Sequence, residues 1–368
     1  MRLWARQICS HKIVDKHALH IKALQRLGNV LECEGNYAAS RDALQRALSQ
    51  SAKPIQQASV LNDIAWVLMR QGDIDEARQL SEQALTLCAD VPDSDRLRAQ
   101  IFDHLGIFAE ERGDVEDSLR FHRNSLEIKQ QLADIGGVAE NLNNIGSVFQ
   151  SSERYAEAMQ SYEESLRLNQ QIGYTLGMAM ATLNIGLIHE NEARYEEAIK
   201  YYNIASQPFT DIGYRQGIAL CKGNIGTCYL LLKSHEQAEA YLTQALMLSQ
   251  ELGDDEGQSY AWVWLAQLSV DNMNMLQAEA QATQALQFAQ SSGSLERQAF
   301  AHRIWGRIYC VHNHLGQALA SFDNALSLFR RIGNLTEASA VERCQCLAKV
   351  IMDAVNAPPD ALGKSLAF

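Results

Sequence analysis

Cys310, His312 and His314 are the one grouping of metal-capable side chains at close spacing in the sequence. Alternating thiolate and imidazole would suit zinc in a loop. On a helix, however, residues two apart diverge by about 200°, and no fourth ligand stands nearby. Cys344 and Cys346 fail on the same geometry. The chain contains no glycine-rich phosphate loop, no His-Glu-x-x-His and no Cys-x-x-Cys. No catalytic residue, metal or cofactor is expected, and an enzymatic reading survives only as a residual, since nucleophile–base sets are recognised by geometry. A different chemistry is offered by Asn144, Asn184 and Asn224, spaced 40 residues apart. An amide side chain both donates and accepts, so a row of them suits the main chain of an extended peptide whatever its sequence. The alternative is that they hydrogen-bond neighbouring helices and fix their geometry.

The interval of 40 pervades the chain. Gly106, Gly146, Gly186, Gly226, Ala266 and Gly306 keep it without insertion or deletion, as do Asn-Ile-Gly phrases ending at 146, 186 and 226. Twelve residues after each anchor comes a small residue (Ser118, Ala158, Ala198, Ala238, Ala278, Ala318), and nineteen after it another (Ser125, Ser165, Ala205, Ala245, Ala285, Ala325). Gly28 and Ala65 head two looser copies, giving eight repeats. Within the fourth, Leu142, Ile145, Val148 and Phe149 form one helical stripe, and Tyr155, Ala158, Met159, Tyr162 and Leu166 form another. Short polar breaks between the stripes predict antiparallel helix pairs. Small residues at the anchor, +12 and +19 positions let the helices approach closely. Gly173, Gly213, Gly253, Gly293 and Gly333 follow the second helices and predict left-handed C-caps; Pro54 marks a helix start. His122, His189 and His235 stand where repeats otherwise carry aromatic or apolar residues, which points to packing.

Composition agrees with an all-helical chain. Of 368 residues only 5 are proline, 47% are apolar and 21% charged, enough for a packed core. The net charge of −12 is concentrated in residues 101–300, where 12 basic side chains face 27 acidic ones. Nucleic acid is a poor fit as a partner, because phosphate contacts need clustered Lys and Arg. A neutral or basic polypeptide fits better. No stretch reaches the 18 or more apolar residues of a membrane helix, and the first ten residues lack a signal peptide's apolar run. Eight cysteines without framework spacing are expected as reduced thiols of a cytoplasmic protein.

The Gly/Ala, Gly, Tyr, Ala, Ala pattern resembles the tetratricopeptide repeat. Its 40-residue period is similar to that of the long-helix subclass, which includes kinesin light chains, Leu-Gly-Asn-repeat spindle regulators and bacterial signalling or transcription proteins. The resemblance spans about residues 17–355. It implies a right-handed α-solenoid of eight helix-turn-helix repeats over 17–333, in which each first helix lines a concave groove. Residues 334–355 then read as a capping helix, 1–16 as a lead-in and 356–368 as a tail.

In such repeats the residues two and three before the anchor, and one and four after it, face the groove. The asparagines at 144, 184 and 224 then become clamps for a peptide backbone. Asp103, Glu110, Glu140 and Glu190 make the centre acidic and attractive to a basic ligand, the alternative being a solvated helix face. Towards the C-terminus, Leu230, Leu231, Tyr260, Val263, Trp264, Val270 and Phe300 join Arg303 and Arg307. Aromatic side chains beside arginine are typical of interaction hot spots. They would suit an apolar anchor next to a carboxylate, or else pack on the C-terminal helix. Trp262 and Trp305 fall one residue off the groove and read as core. The expected function is a non-catalytic scaffold that binds a peptide or partner segment. The alternative is a regulatory sensor domain that answers to a small peptide or metabolite.

Overall fold

The computed structural model describes residues 16–356, so the expected lead-in and tail lie outside the described residues. Among these residues there are seventeen helices and no strand. The chain divides into two compact units, residues 1–177 and 178–368. The first contains α1 (Lys16–Cys33), α2 (Tyr37–Gln50), α3 (Pro54–Arg70), α4 (Ile74–Leu87), α5 (Asp95–Glu111), α6 (Val115–Gln131), α7 (Ile135–Ser151) and α8 (Tyr155–Ile172). The boundary falls just inside α9 (Thr175–Asn191). The second unit continues with α10 (Tyr195–Asp211), α11 (Arg215–Leu231), α12 (His235–Leu252), α13 (Asp255–Asp271), α14 (Met275–Ser291), α15 (Leu295–Val311), α16 (Leu315–Arg331) and α17 (Leu335–Asn356). From α1 to α15 the odd-numbered helices carry the anchors and pair with the even-numbered helix that follows. Most are longer than the bare apolar stripes suggest, and Pro54 opens α3 as expected.

The small residues at +12 and +19, nine alanines and three serines, are all buried, so backbones can approach. The anchors do something more specific. A methyl placed on Gly146 would lie 2.6 Å from the Tyr162 ring; on Gly186, 2.7 Å from Tyr202; on Gly226, 2.7 Å from Leu242; on Gly306, 2.4 Å from Phe322. Gly28 meets Leu44 and Gly106 meets His122 in the same way. Each partner lies sixteen residues beyond its anchor, on the second helix of the pair. Where the anchor is alanine, the residue in that register is small: Ser81 for Ala65, and Ala282 for Ala266, all four fully buried. A larger anchor is thus met by a smaller partner, so that the two side chains do not compete for the crossing.

Both turn types close alike. Within pairs, the amide of Asp114 donates to the Ala109 carbonyl, Arg154 to Phe149, Arg194 to His189, Ser234 to Tyr229 and His314 to Tyr309, at 2.8–2.9 Å. These are six-to-one Schellman closures, which need a left-handed residue just before. Between pairs, Gly173, Gly213, Gly253, Gly293 and Gly333 fill that place as expected. Within pairs, Gly113 does so in the third repeat, but Glu153, Ala193, Lys233, Met273 and Asn313 adopt φ of 57–60° in the later ones.

Gly146→Ala should cost about 1–3 kcal/mol through overpacking, and adding Tyr162→Ser should recover part of it; additive losses in a denaturant double-mutant cycle would show that the two positions do not share the crossing. Ala193→Gly should raise stability by up to about 1 kcal/mol by relieving a left-handed side chain. Gly113→Ala, which meets nothing within 4 Å, should lower the unfolding midpoint through backbone strain alone.

Candidate functional site

In the unit of residues 178–368, α9, α11, α13 and α15, with the first turn of α17, enclose a cavity of about 890 Å³. Helical periodicity builds each wall. On α11, Leu220, Asn224, Thr227 and Leu231 share one face; on α13, Tyr260, Trp264, Gln267 and Asp271 do; on α15, Arg297, Phe300, Arg303 and Arg307. Relative to the anchors these are mainly positions −6, −2, +1 and +5, with −3 at Arg303 and +4 at Glu190.

Aromatic rings pack edge to face or tilted along one side: Tyr260 with Trp264 at 6.3 Å between centroids, Trp264 with Phe300 at 5.8 Å, and Phe300 with Phe329 at 5.1 Å. The Arg297 guanidinium lies 4.8 Å above the Tyr260 ring, and Arg303 4.8 Å above Phe300. The Tyr260 hydroxyl donates to Asn224 Oδ1 at 3.0 Å and lies 2.9 Å from the Thr227 hydroxyl. Burial raises its pKa above the usual phenol range. Three side-chain N–H groups on cavity-lining residues, Asn224 Nδ2, Trp264 Nε1 and Arg297 Nε, are buried without a hydrogen-bond partner.

The arginines are already paired, contrary to the expectation that a ligand carboxylate would satisfy them. Arg303 binds Glu337, from the first turn of α17, and burial lowers its pKa in spite of that partner. Asp271 Oδ1 accepts from Arg307 at 3.0 Å, and its Oδ2 lies 3.8 Å from Lys233 Nζ. Arg297 approaches Glu296 at 3.4 Å. Glu190 has neutral partners instead. It accepts from the Tyr202 hydroxyl and the Cys228 thiol, and burial raises its pKa.

Nine residues expected at the site therefore come together in one cavity: Glu190, Asn224, Leu230, Leu231, Tyr260, Trp264, Phe300, Arg303 and Arg307. Asn184, half-buried on α9, is not among its walls. Asn144 and Glu110 belong to the other unit, where Asn144 is half-buried and Glu110 accepts from Ser147 at 3.0 Å, with its pKa raised by burial. The acidic residues at +4 are thus not a freely solvated face. Val263 is core, 1% exposed, and Val270 faces a second cavity of about 600 Å³. Trp262 and Trp305 are half-buried against the core, with Trp305 stacked on Tyr309 at 5.3 Å. Arg297 and Glu337 join the site without any local signal in the sequence. The two stand forty residues apart, in the same register of α15 and α17, and both line the cavity.

Among the described residues no group of three or more His, Cys, Asp or Glu side chains is placed to hold a metal ion. His312 Nε2 sits 2.8 Å from Glu279, and the His312 and His314 rings are 6.1 Å apart. His122 is fully buried with Nδ1 3.6 Å from Asp103, and His189 stacks on Tyr201 at 4.8 Å. Among the described residues no helix is long and apolar enough to cross a membrane.

Helix pairs recurring every forty residues, closed by the same crossing and the same turns, define an α-helical repeat protein. The pattern described as tetratricopeptide repeat matches residues 56–131, 97–171 and 177–251, more than half of the chain, and a second pattern of that description matches 143–209. The chain belongs to the tetratricopeptide-repeat family. Among solved structures it is similar to a Rap protein complexed with competence and sporulation factor, with a TM-score of 0.60, 11% identity, and coverage of 92% of this chain and 99% of that one. Aspartyl phosphate phosphatase F from Bacillus subtilis gives 0.61 at 16% identity, covering 89% and 87%. A signal-transduction ATPase with a tetratricopeptide-repeat sensor from Pyrococcus horikoshii gives 0.57 at 17%, covering 89% of this chain and 50% of that one. These likenesses concern the fold. No curated protein matches the chain.

Glu337→Ala should free the first turn of α17 from α15. Hydrogen exchange should quicken over residues 335–345 while α13 stays protected, with a stability loss of about 1–2 kcal/mol for this partly exposed pair. Unchanged exchange would mean that apolar packing alone holds the helix.

Proposed function

We propose that this chain is a non-catalytic interaction protein that binds a peptide or partner segment in the cavity lined by α9, α11, α13, α15 and α17. The observation that carries this reading is the set of buried, unpartnered N–H groups on Asn224, Trp264 and Arg297 around an aromatic wall. Buried donors without acceptors are costly and uncommon in native proteins. A peptide main chain supplies carbonyl acceptors at regular intervals, and an apolar side chain would cover Trp264 and Phe300. Asn224 acts here as the backbone clamp; Asn144, Asn184 and Glu110 serve, on this reading, other segments or the repeat packing itself.

A second reading, a regulatory domain that senses a small peptide or metabolite, is favoured by the Arg303–Glu337 pair. An anionic ligand group competing for Arg303 would release the first turn of α17, coupling occupancy to the C-terminal helix. Proteins with this fold include the Rap protein solved with competence and sporulation factor and the sensor-bearing ATPase, which is compatible with either reading.

Selection from a random peptide library displayed on phage tests the first reading. Recovered peptides should bind Trp264→Ala at least tenfold more weakly, about 1.4 kcal/mol, with the variant's melting temperature within a few degrees of wild type. Peptides that bind both proteins equally would place the site elsewhere. An empty selection would shift the assignment to the sensor.

A further inference from the structure

The charges around the cavity are unevenly matched. Its four cations each have a carboxylate: Arg303 has Glu337, Arg307 and Lys233 share Asp271, and Arg297 has Glu296. The fourth carboxylate of the lining, Glu190, touches only a tyrosine hydroxyl and a thiol. Burial without a cation favours the protonated form of this carboxyl group, and a ligand cation would be what ionises it.

Repeat packing does not require the carboxyl group. The equivalent position of the preceding repeat is Gln150, and its side-chain oxygen accepts from the Tyr162 hydroxyl at 2.8 Å just as Glu190 accepts from Tyr202. A neutral amide therefore performs the structural task, and an ionisable carboxyl group at 190 is surplus to it. One turn before Cys228, which contacts Glu190, stands Asn224. Asn224 is 4% exposed, its Oδ1 is occupied by Tyr260, and its Nδ2 has no partner. The same cavity end thus holds one carboxyl group without a cation and one unmatched hydrogen-bond donor, with Thr227 and Tyr260 beside them.

We infer that Glu190 and Asn224 form a subsite for a primary ammonium group that has a carbonyl oxygen close by, the ammonium bound by Glu190 and the carbonyl by Asn224 Nδ2. This rests on the reading of the cavity as the ligand site and adds a direction to it, since the positive end of the ligand lies at α9 and α11. A peptide N-terminus and a lysine side chain share the ammonium chemistry, and only the N-terminus places its own carbonyl oxygen two bonds from the amine-bearing carbon.

Three small probes test the subsite by saturation-transfer NMR titration at pH 7: phenylalaninamide, Nα-acetyl-lysinamide, and N-acetyl-phenylalaninamide as the uncharged control. Phenylalaninamide should bind at least tenfold more tightly than its acetylated form, and Glu190→Gln should erase that difference. Binding of Nα-acetyl-lysinamide in place of phenylalaninamide, likewise lost in Glu190→Gln, would assign the ammonium to a lysine side chain. Equal binding or no binding of charged and acetylated probes to the wild-type protein would overturn the subsite, a comparison that needs no variant to fold. The cavity reading fails separately. Library-selected peptides that depend on Trp264 but tolerate N-terminal acetylation and Glu190→Gln would leave the cavity standing and remove the ammonium site.

Discussion

The contact between each first-helix anchor and the side chain sixteen residues on governs how closely paired helices approach, and the rest of the architecture depends on that distance. With glycine at the anchor, the ring of a tyrosine, phenylalanine or histidine, or the fork of a leucine, lies directly over the first helix's backbone. With alanine, the residue in that register shrinks to serine or alanine. Interiors pack at crystal-like density, so a methyl too many is felt along the whole crossing. Because the residues that face the cavity lie on the same first helices, within a turn or two of the anchor, an error at the crossing would rotate or displace them as a group.

Much of this was legible in the sequence because it is periodic. The interval of 40, the small residues at +12 and +19 and the glycines after each second helix predict helix pairs and left-handed caps that the structure contains. The opposing residue at +16 leaves no such mark because its identity varies from Tyr162 to Leu242 to His122. What recurs there is volume complementary to the anchor, which a search for similar residues does not see. The within-pair turns are hidden for a related reason. Their left-handed position is held by glycine in the early repeats but by Glu153, Ala193, Lys233, Met273 and Asn313 later, so the strained backbone leaves no glycine signature.

The site was legible in part and for the same cause. Positions defined by the repeat bring Glu190, Asn224, Tyr260, Trp264, Arg303 and Arg307 to one cavity. Partner choice was not legible, because it depends on side chains of other helices. Nothing local to Arg303 or Arg307 points to Glu337 or Asp271, 34 and 36 residues away. Nor does the asparagine row behave as a set: identical residues in identical registers end up half-buried at 144 and 184 but enclosed and bonded to Tyr260 at 224. The difference comes from the following repeat. It supplies Tyr260 to Asn224, whereas the corresponding positions after Asn184 and Asn144 hold Leu220 and Met180, which have no hydroxyl to offer.

In a repeat protein the shared positions explain the scaffold, and the informative positions are those where one copy departs from its neighbours without a structural need. Glu190 against Gln150 is such a departure, since both accept a bond from the tyrosine in the same register and only one is a carboxyl group. Trp264, in the register that holds asparagine in the three repeats before it, is another. Arg303 and Arg307 are departures as well, but each arrives with its own carboxylate, so their charge is taken up by internal ties. Cations that each have a carboxylate, beside one carboxyl group that has no cation, give the cavity an asymmetry that its equal numbers of acidic and basic residues conceal. That asymmetry arises from the pairing geometry, and it is the feature by which one otherwise generic helical-repeat cavity would distinguish one end of a ligand from the other.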